Sequence, residues 1–198
     1  YNWANNNTLI GLAASGTGNI PSFTTTNNTN APLVATITVT ANANGCSIPS
    51  KVFTITVNPT PDVIQPADQS LCNGSTTTAI NFTGVVSGTI YNWTNSDPSI
   101  GLAAAGNGDI AAFTAINNTS VPVTATITVT PTANSCPGIP KTFTITVNPT
   151  PGLTQPNDQV LCTGDATTAV NFTGPVSNSS YNWANNNTLI GLAASGTG

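Results

Sequence analysis

Apolar and polar residues alternate one for one in two stretches of the chain. In "TATITVT" (124–130), Ala125, Ile127 and Val129 fall on one face and the Thr residues on the other. In "KTFTITV" (141–147), Phe143, Ile145 and Val147 repeat the arrangement. Successive strand side chains point to opposite faces, so period two marks a half-buried strand. Joined by "PTANSCPGIP" (131–140), the two runs predict an antiparallel hairpin with a long turn. Upstream, Ile80 shares a face with Phe82, and Tyr91 with Trp93, and a further apolar run is "DIAAFTAI" (109–116). A first strand near Val63 to Leu71 and a short one near Ile100 to Ala103 bring the expected total to about seven. The expected core is Ile80, Phe82, Tyr91, Trp93, Phe113, Ile127, Val129, Phe143, Ile145 and Val147. No segment combines helical spacing with caps. Seven short strands in about 90 residues predict an all-β, two-sheet sandwich of immunoglobulin type.

The pattern recurs. Shifting the chain by 90 positions aligns it with itself without a gap: "YNW" stands at 1, 91 and 181, and "VFTITVNPTP" (52–61) matches "TFTITVNPTP" (142–151). "DQSLCNGSTTTAINFTG" (68–84) likewise matches "DQVLCTGDATTAVNFTG" (158–174). "YNWANNNTLIGLAASGTG" (1–18) agrees with residues 91–108 at 11 of 18 positions but with residues 181–198 at all 18. Two periods are therefore nested, a unit of 90 residues and a pair of alternating units spanning 180. The joints are the "VNPTP" segments, Asn58, Pro59 and Pro61 in one and Asn148, Pro149 and Pro151 in the other. Prolines there withhold amide hydrogens from a sheet and hold the backbone extended. Residues 61–150 are then one complete unit, 1–60 the last two-thirds of a preceding unit, and 151–198 the first half of a following one. A short, stiff linker predicts a rod rather than loosely strung beads. Each unit should add about 35–45 Å, from strands of 7–9 residues rising ~3.3 Å each plus loops and linker.

Composition narrows the function. Of 198 residues, 38% are hydrophobic and only 4% charged, six Asp and two Lys, for a net charge of −4; His, Arg, Glu and Met are absent. Such an apolar content argues against a disordered chain. Two Lys cannot assemble a basic patch, which excludes phosphate-led nucleic-acid binding. No apolar run approaches the roughly 20 residues of a bilayer-spanning helix, so no direct membrane span is expected. Without His, and with no Asp pair that both units keep beside a nucleophile, acid–base or nucleophilic catalysis is not expected. Neither catalytic residues nor a cofactor or metal site is therefore assigned.

Three features invite a sharper reading. "GNGD" (106–109) has the chemistry of a calcium turn, but its counterpart "GTGN" (16–19) lacks the carboxylate. A turn entering a strand explains both; only Asp68 and Asp158 recur at one unit position. Tyr91 and Trp93 could stack on sugars, yet a shared strand face points to the core of a sandwich. Asn73, Asn81, Asn92 and Asn117 each open an N-x-S/T triplet, which Asn- and Thr-rich sequence also produces by chance.

The cysteines are two unit positions repeated: Cys46 corresponds to Cys136, and Cys72 to Cys162. Pairing within the complete unit joins Cys72 to Cys136, with Cys46 and Cys162 pairing outside the window. Pairing across the joints joins Cys46 to Cys72 and Cys136 to Cys162. Free thiols are the third possibility. There is neither His nor C-x-x-C spacing for zinc.

The "DQSLCNGSTTTAINF" segment, the "YNW" strand and the "SC…TFTITVNPTP" ending resemble the PKD-like, immunoglobulin-fold repeats of Bacteroidota surface proteins. They look most like the arrays of giant mobile adhesins in gliding bacteria, and the resemblance covers the whole chain. It implies export by the type IX secretion system and display on the outer surface of the cell. It also favours the disulfide within a unit, Cys72 to Cys136, which would stabilise the folded unit by ~4 kcal/mol in the chain-entropy model. The expected function is mechanical: stalk repeats of a long extracellular adhesin or surface filament, serving attachment and gliding motility. The expected partners are neighbouring repeats of the same chain, with surface polysaccharide or other filament chains beyond them. The alternatives are a glycan- or protein-binding repeat module and a self-assembling fibre with exchanged strands.

Overall fold

Threonine-faced strands dominate the structure because β-branched side chains fit a pleated, half-buried surface. The computed structural model describes residues 1–198, the side chain of Cys46 excepted. It is all-β, with several sheets and no α-helix among the described residues. Residues 1–60 form β1 (Asn2–Asn5), β2 (Ser15–Thr17), β3 (Leu33–Thr40), β4 (Asn42–Ala43), β5 (Cys46–Ser47) and β6 (Lys51–Val57). The four longer-reaching strands make one sheet in the order β2-β1-β3-β6. Residues 61–150 hold β7 (Gln69–Cys72), β8 (Ile90–Asn95), β9 (Ala105–Asn107), β10 (Val123–Ala133), β11 (Cys136–Pro137) and β12 (Lys141–Asn148). Their sheet runs β7-β12-β10-β8-β9, with β11 folding back on β10. Residues 151–198 contribute β13 (Asn182–Ala184) and β14 (Ser195–Thr197), which pair with each other.

β10 and β12 pair antiparallel from Val123↔Val147 to Val129↔Lys141. Their inward faces carry Ala125, Ile127, Val129, Phe143, Ile145 and Val147, all buried. Opposite them lies an irregular layer. Residues 75–80 and 110–115 run antiparallel in a single register but touch as isolated bridges, Thr76↔Thr114 and Ile80↔Ile110. Between those bridges the Thr77 hydroxyl takes over, accepting from the Phe113 N–H at 3.0 Å. Val63, Ile80, Phe82, Trp93, Ile100, Leu102 and Ile110 close the core between the layers, with Tyr91 and Phe113 half-buried against it.

Three expected elements differ. The first strand is confined to Gln69–Cys72, because residues 62–68 include Pro66 and are held by side-chain and loop bonds instead. Ile64 N–H donates to Thr83 O at 2.8 Å, and the Asp68 carboxylate accepts from Thr144 N–H at 2.6 Å. Residues 100–103 are not a strand: Pro98–Ile100 is a 3-10 turn, capped by Asp97 and ended by Gly101 at φ +96°. Finally, "PTANSCPGIP" is not one long loop. β10 continues through Ala133, turns at Asn134–Ser135, both at positive φ, and pairs back through Cys136. Residues 61–150 thus contain six strands and two bridges rather than seven strands.

Candidate functional site

Residues 58–61 join the sheet of residues 1–60 to residues 61–150. Pro59 and Pro61 are fully buried, as is Pro131 in β10, while Asn58 is half-buried. The Asn58 side-chain amide donates to Asn134 O at 3.3 Å, so the end of β6 is tied to the β10–β11 turn of the next unit. Gly138 lets the backbone close the contact. A Cβ there would overlap the Pro61 carbonyl and stand 2.8 Å from Pro131 Cγ. Burial of Pro59 and the Asn58 hydrogen bond restrict this connector more than a free linker of the same length would be. At the second joint, Asn148 is half-buried, Pro149 buried and Pro151 exposed. There Asn73 N–H donates to Asn148 O at 2.8 Å, and the Asn73 amide to Thr150 Oγ1 at 3.3 Å.

The carboxylates and amides singled out in the sequence serve the fold. Asp109 accepts from Phe82 N–H at 2.8 Å, binding the "GNGD" turn to the opposite layer. Gln69 makes a two-bond clip to Thr78, accepting from its N–H and donating to its O at 2.9 Å each, and Gln159 repeats the clip on Thr168. Among the described residues no three His, Cys, Asp or Glu side chains gather closely enough to hold a metal ion. Among the described residues no helix is long and apolar enough to cross a membrane. Trp93 is buried and its indole N–H donates to Gly108 O at 3.2 Å. Burial raises the Tyr91 hydroxyl above its ordinary pKa, and the nearby Asp62 and Asp109 carboxylates add to the rise. Hydrogen bonds from Ser99, through its side chain and then its backbone N–H, hold Asp97 below the usual carboxylate range.

Of the N-x-S/T asparagines, Asn117 is enclosed, its amide donating to Val121 O at 2.8 Å and Val147 O at 2.7 Å. Asn81 and Asn92 are exposed, and Asn73 half-buried.

The structure does not bring Cys72 and Cys136 together. Cys72 is level with Asn148, and Cys136 with Ala133; the route between them is seven residues of β12 and four of β10. At ~3.3 Å per residue that is about 35 Å, against the ~7 Å Cα separation a disulfide tolerates. The expected bridge within the unit therefore has no geometry in which to form. Cys72 and Cys162 are exposed and Cys136 half-buried, all as free thiols, and the Cys46 side chain lies outside the described residues. What the sequence reading missed was the joint contact itself; the one available signal was the Gly at 138, where the preceding unit has Ile48.

Two shallow depressions mark the surface. One, of about 370 Å³, runs along residues 64–69 and 78–83. The other, of about 450 Å³, opens over Trp3, Val39 and Phe53. Their counterparts Trp93, Val129 and Phe143 pack in one core with Val63, Ile80 and Phe82. No protein-family model matches the chain, and no similar protein was found among curated sequences.

Proposed function

We propose that the chain is a run of tandem immunoglobulin-like, PKD-like β-sandwich units in an extended rod, the stalk of a long extracellular adhesin or surface filament. Its work is mechanical: it holds a distal binding part away from the bacterial surface and carries load between the two. Export to the cell surface by the type IX route, a role in attachment and in gliding motility, and the absence of enzymatic activity all belong to this reading.

The observation that carries it is the joint. The Asn58–Asn134 hydrogen bond ties the end of β6 to the β10–β11 turn, and Pro59, next in the chain, is buried; a tethered joint suits a load-bearing spacer better than an independent binding module. The open face of residues 1–60 adds support. Phe53 is 46% exposed where its counterpart Phe143 is 2% exposed under Val63 and Phe82, so this face fits a further segment patterned like residues 62–83.

Small-angle scattering on chains of two, three and four units tests the reading. A maximum dimension growing by about 35–45 Å per added unit is expected. A dimension that stays constant as units are added would overturn the rod. Cross-linked multimers that form only between separate chains would instead favour the strand-exchanged fibre.

A further inference from the structure

Cys72 and Cys136 mark opposite ends of one unit, and each end is a joint. Cys72 is the in-register parallel neighbour of Asn148, one strand spacing (about 4.8 Å) away. Cys136 flanks the Asn134–Ser135 turn, opposite Ala133. That turn accepts a hydrogen bond from Asn58 of the preceding unit. Asn58 and Asn148 are the same unit position, 90 residues apart. Superposed by the 90-residue repeat, the two half-pictures place the asparagine of a joint between two cysteines: the Cys72-type residue of its own unit, as at Asn148, and the Cys136-type residue of the next, as at Asn58. Both thiols can be reached, Cys72 being exposed and Cys136 half-buried.

From this we infer that successive units are joined by a disulfide between the Cys72-type cysteine of one and the Cys136-type cysteine of the next. The inference rests on the tandem-array reading, and it replaces the bridge within a unit. The two thiols lose two protons and two electrons as the S–S bond forms. A disulfide-bearing thiol oxidoreductase accepts them and is reduced to its dithiol, in the oxidising compartments where such bonds persist. The bond would fix the side of the joint that the Asn58 hydrogen bond only tethers.

The alternation of units makes the pairing readable. With thiols blocked before extraction, the native protein is digested with chymotrypsin without reduction. Same-unit pairing would link peptide 72–82 to the Cys136 peptide ending at Phe143. The inferred pairing instead links 72–82 to the peptide carrying the Cys46 sequence "NGCSIPSKVF", and 162–172 to the Cys136 peptide. Cys46 with Cys72 would give the same peptides, but residue 46 lies beyond the Lys51 end of β6 and Cys72 beside Asn148, each a strand length from the joint between them. The expected result is both hybrid pairs, lost completely on prior reduction. Same-unit pairs would overturn the proposal, and so would fully blocked, unpaired cysteines. Electron microscopy of the same preparation separates the two readings. Rods with unpaired cysteines defeat the disulfide alone, whereas the absence of rods defeats the array.

Discussion

Trp93 lies face to face with Gly106 across the β8–β9 pair, and the indole occupies the space a side chain at 106 would need. The two are register partners, and a Cβ on Gly106 would stand 2.7 Å from Trp93 Cε2. The arrangement recurs at Trp3 with Gly16 and at Trp183 with Gly196. Gly106→Ala should cost the central unit about 1–3 kcal/mol through overpacking. Urea unfolding followed by Trp fluorescence checks this, with a lower midpoint and an unchanged slope as the expected result.

That pairing shows where the sequence was legible. Alternation exposed β10 and β12 because their two faces differ sharply in chemistry, and "YNW" exposed β8. Gly106 gave no such signal: a glycine in "GNGD" looks like turn material, and only the register with Trp93 gives it a packing role. The 3-10 turn from Asp97 to Gly101 went unread because its three residues are too few to carry a period. The opposite layer was hardest, because the Thr77 hydroxyl takes the Phe113 N–H in place of a backbone carbonyl and the segment touches only as isolated bridges. The joint was half legible. The prolines were readable as residues that withhold ladder hydrogens, whereas the Asn58–Asn134 contact depends on a fold-back of β10 that a reading by residue type cannot supply.

Asn117 is buried, and its amide satisfies two carbonyls, Val121 O and Val147 O, while its own oxygen accepts from Thr119 N–H at 2.8 Å. Asn117→Ala should therefore cost roughly 1–3 kcal/mol by stranding those carbonyls. The exposed Asn92→Ala should stay within about 0.5 kcal/mol of the parent. Chemical denaturation of the two variants side by side gives the comparison.

Phe143 and Phe53 occupy the same unit position in different surroundings, 2% and 46% exposed. In the 198-residue chain, Phe143→Ala should destabilise the central unit by about 3–5 kcal/mol. Phe53→Ala should leave that unit's transition in place, because Phe53 belongs to the other sheet. Hydrogen exchange read unit by unit separates the two effects.

Tyr91 sets a high-pH limit. Its folded pKa is raised, first by burial and then by Asp62 and Asp109, so the folded state favours the neutral phenol. The stability this contributes is complete below the ordinary tyrosine value of about 10 and is lost as pH rises through the folded value. Tyrosinate absorbance should thus show one tyrosine ionising late, with unfolding setting in over that range. Tyr91→Phe should remove the late step and soften the loss of stability at high pH.

The first and last strands of the central unit, β7 and β12, are neighbours and run parallel through four register pairs, Ile145↔Gln69 to Asn148↔Cys72. The chain enters before β7 and leaves after β12. Tension along the chain therefore pulls these strands past each other rather than peeling one from the other. The hydrogen bonds between them lie across the line of force and must yield together, so no single bond takes the load first. Resistance to pulling is then a question of how fast that ladder shears, a rate rather than an equilibrium free energy. The short Gln69–Cys72 strand becomes the part of this unit on which tensile strength turns.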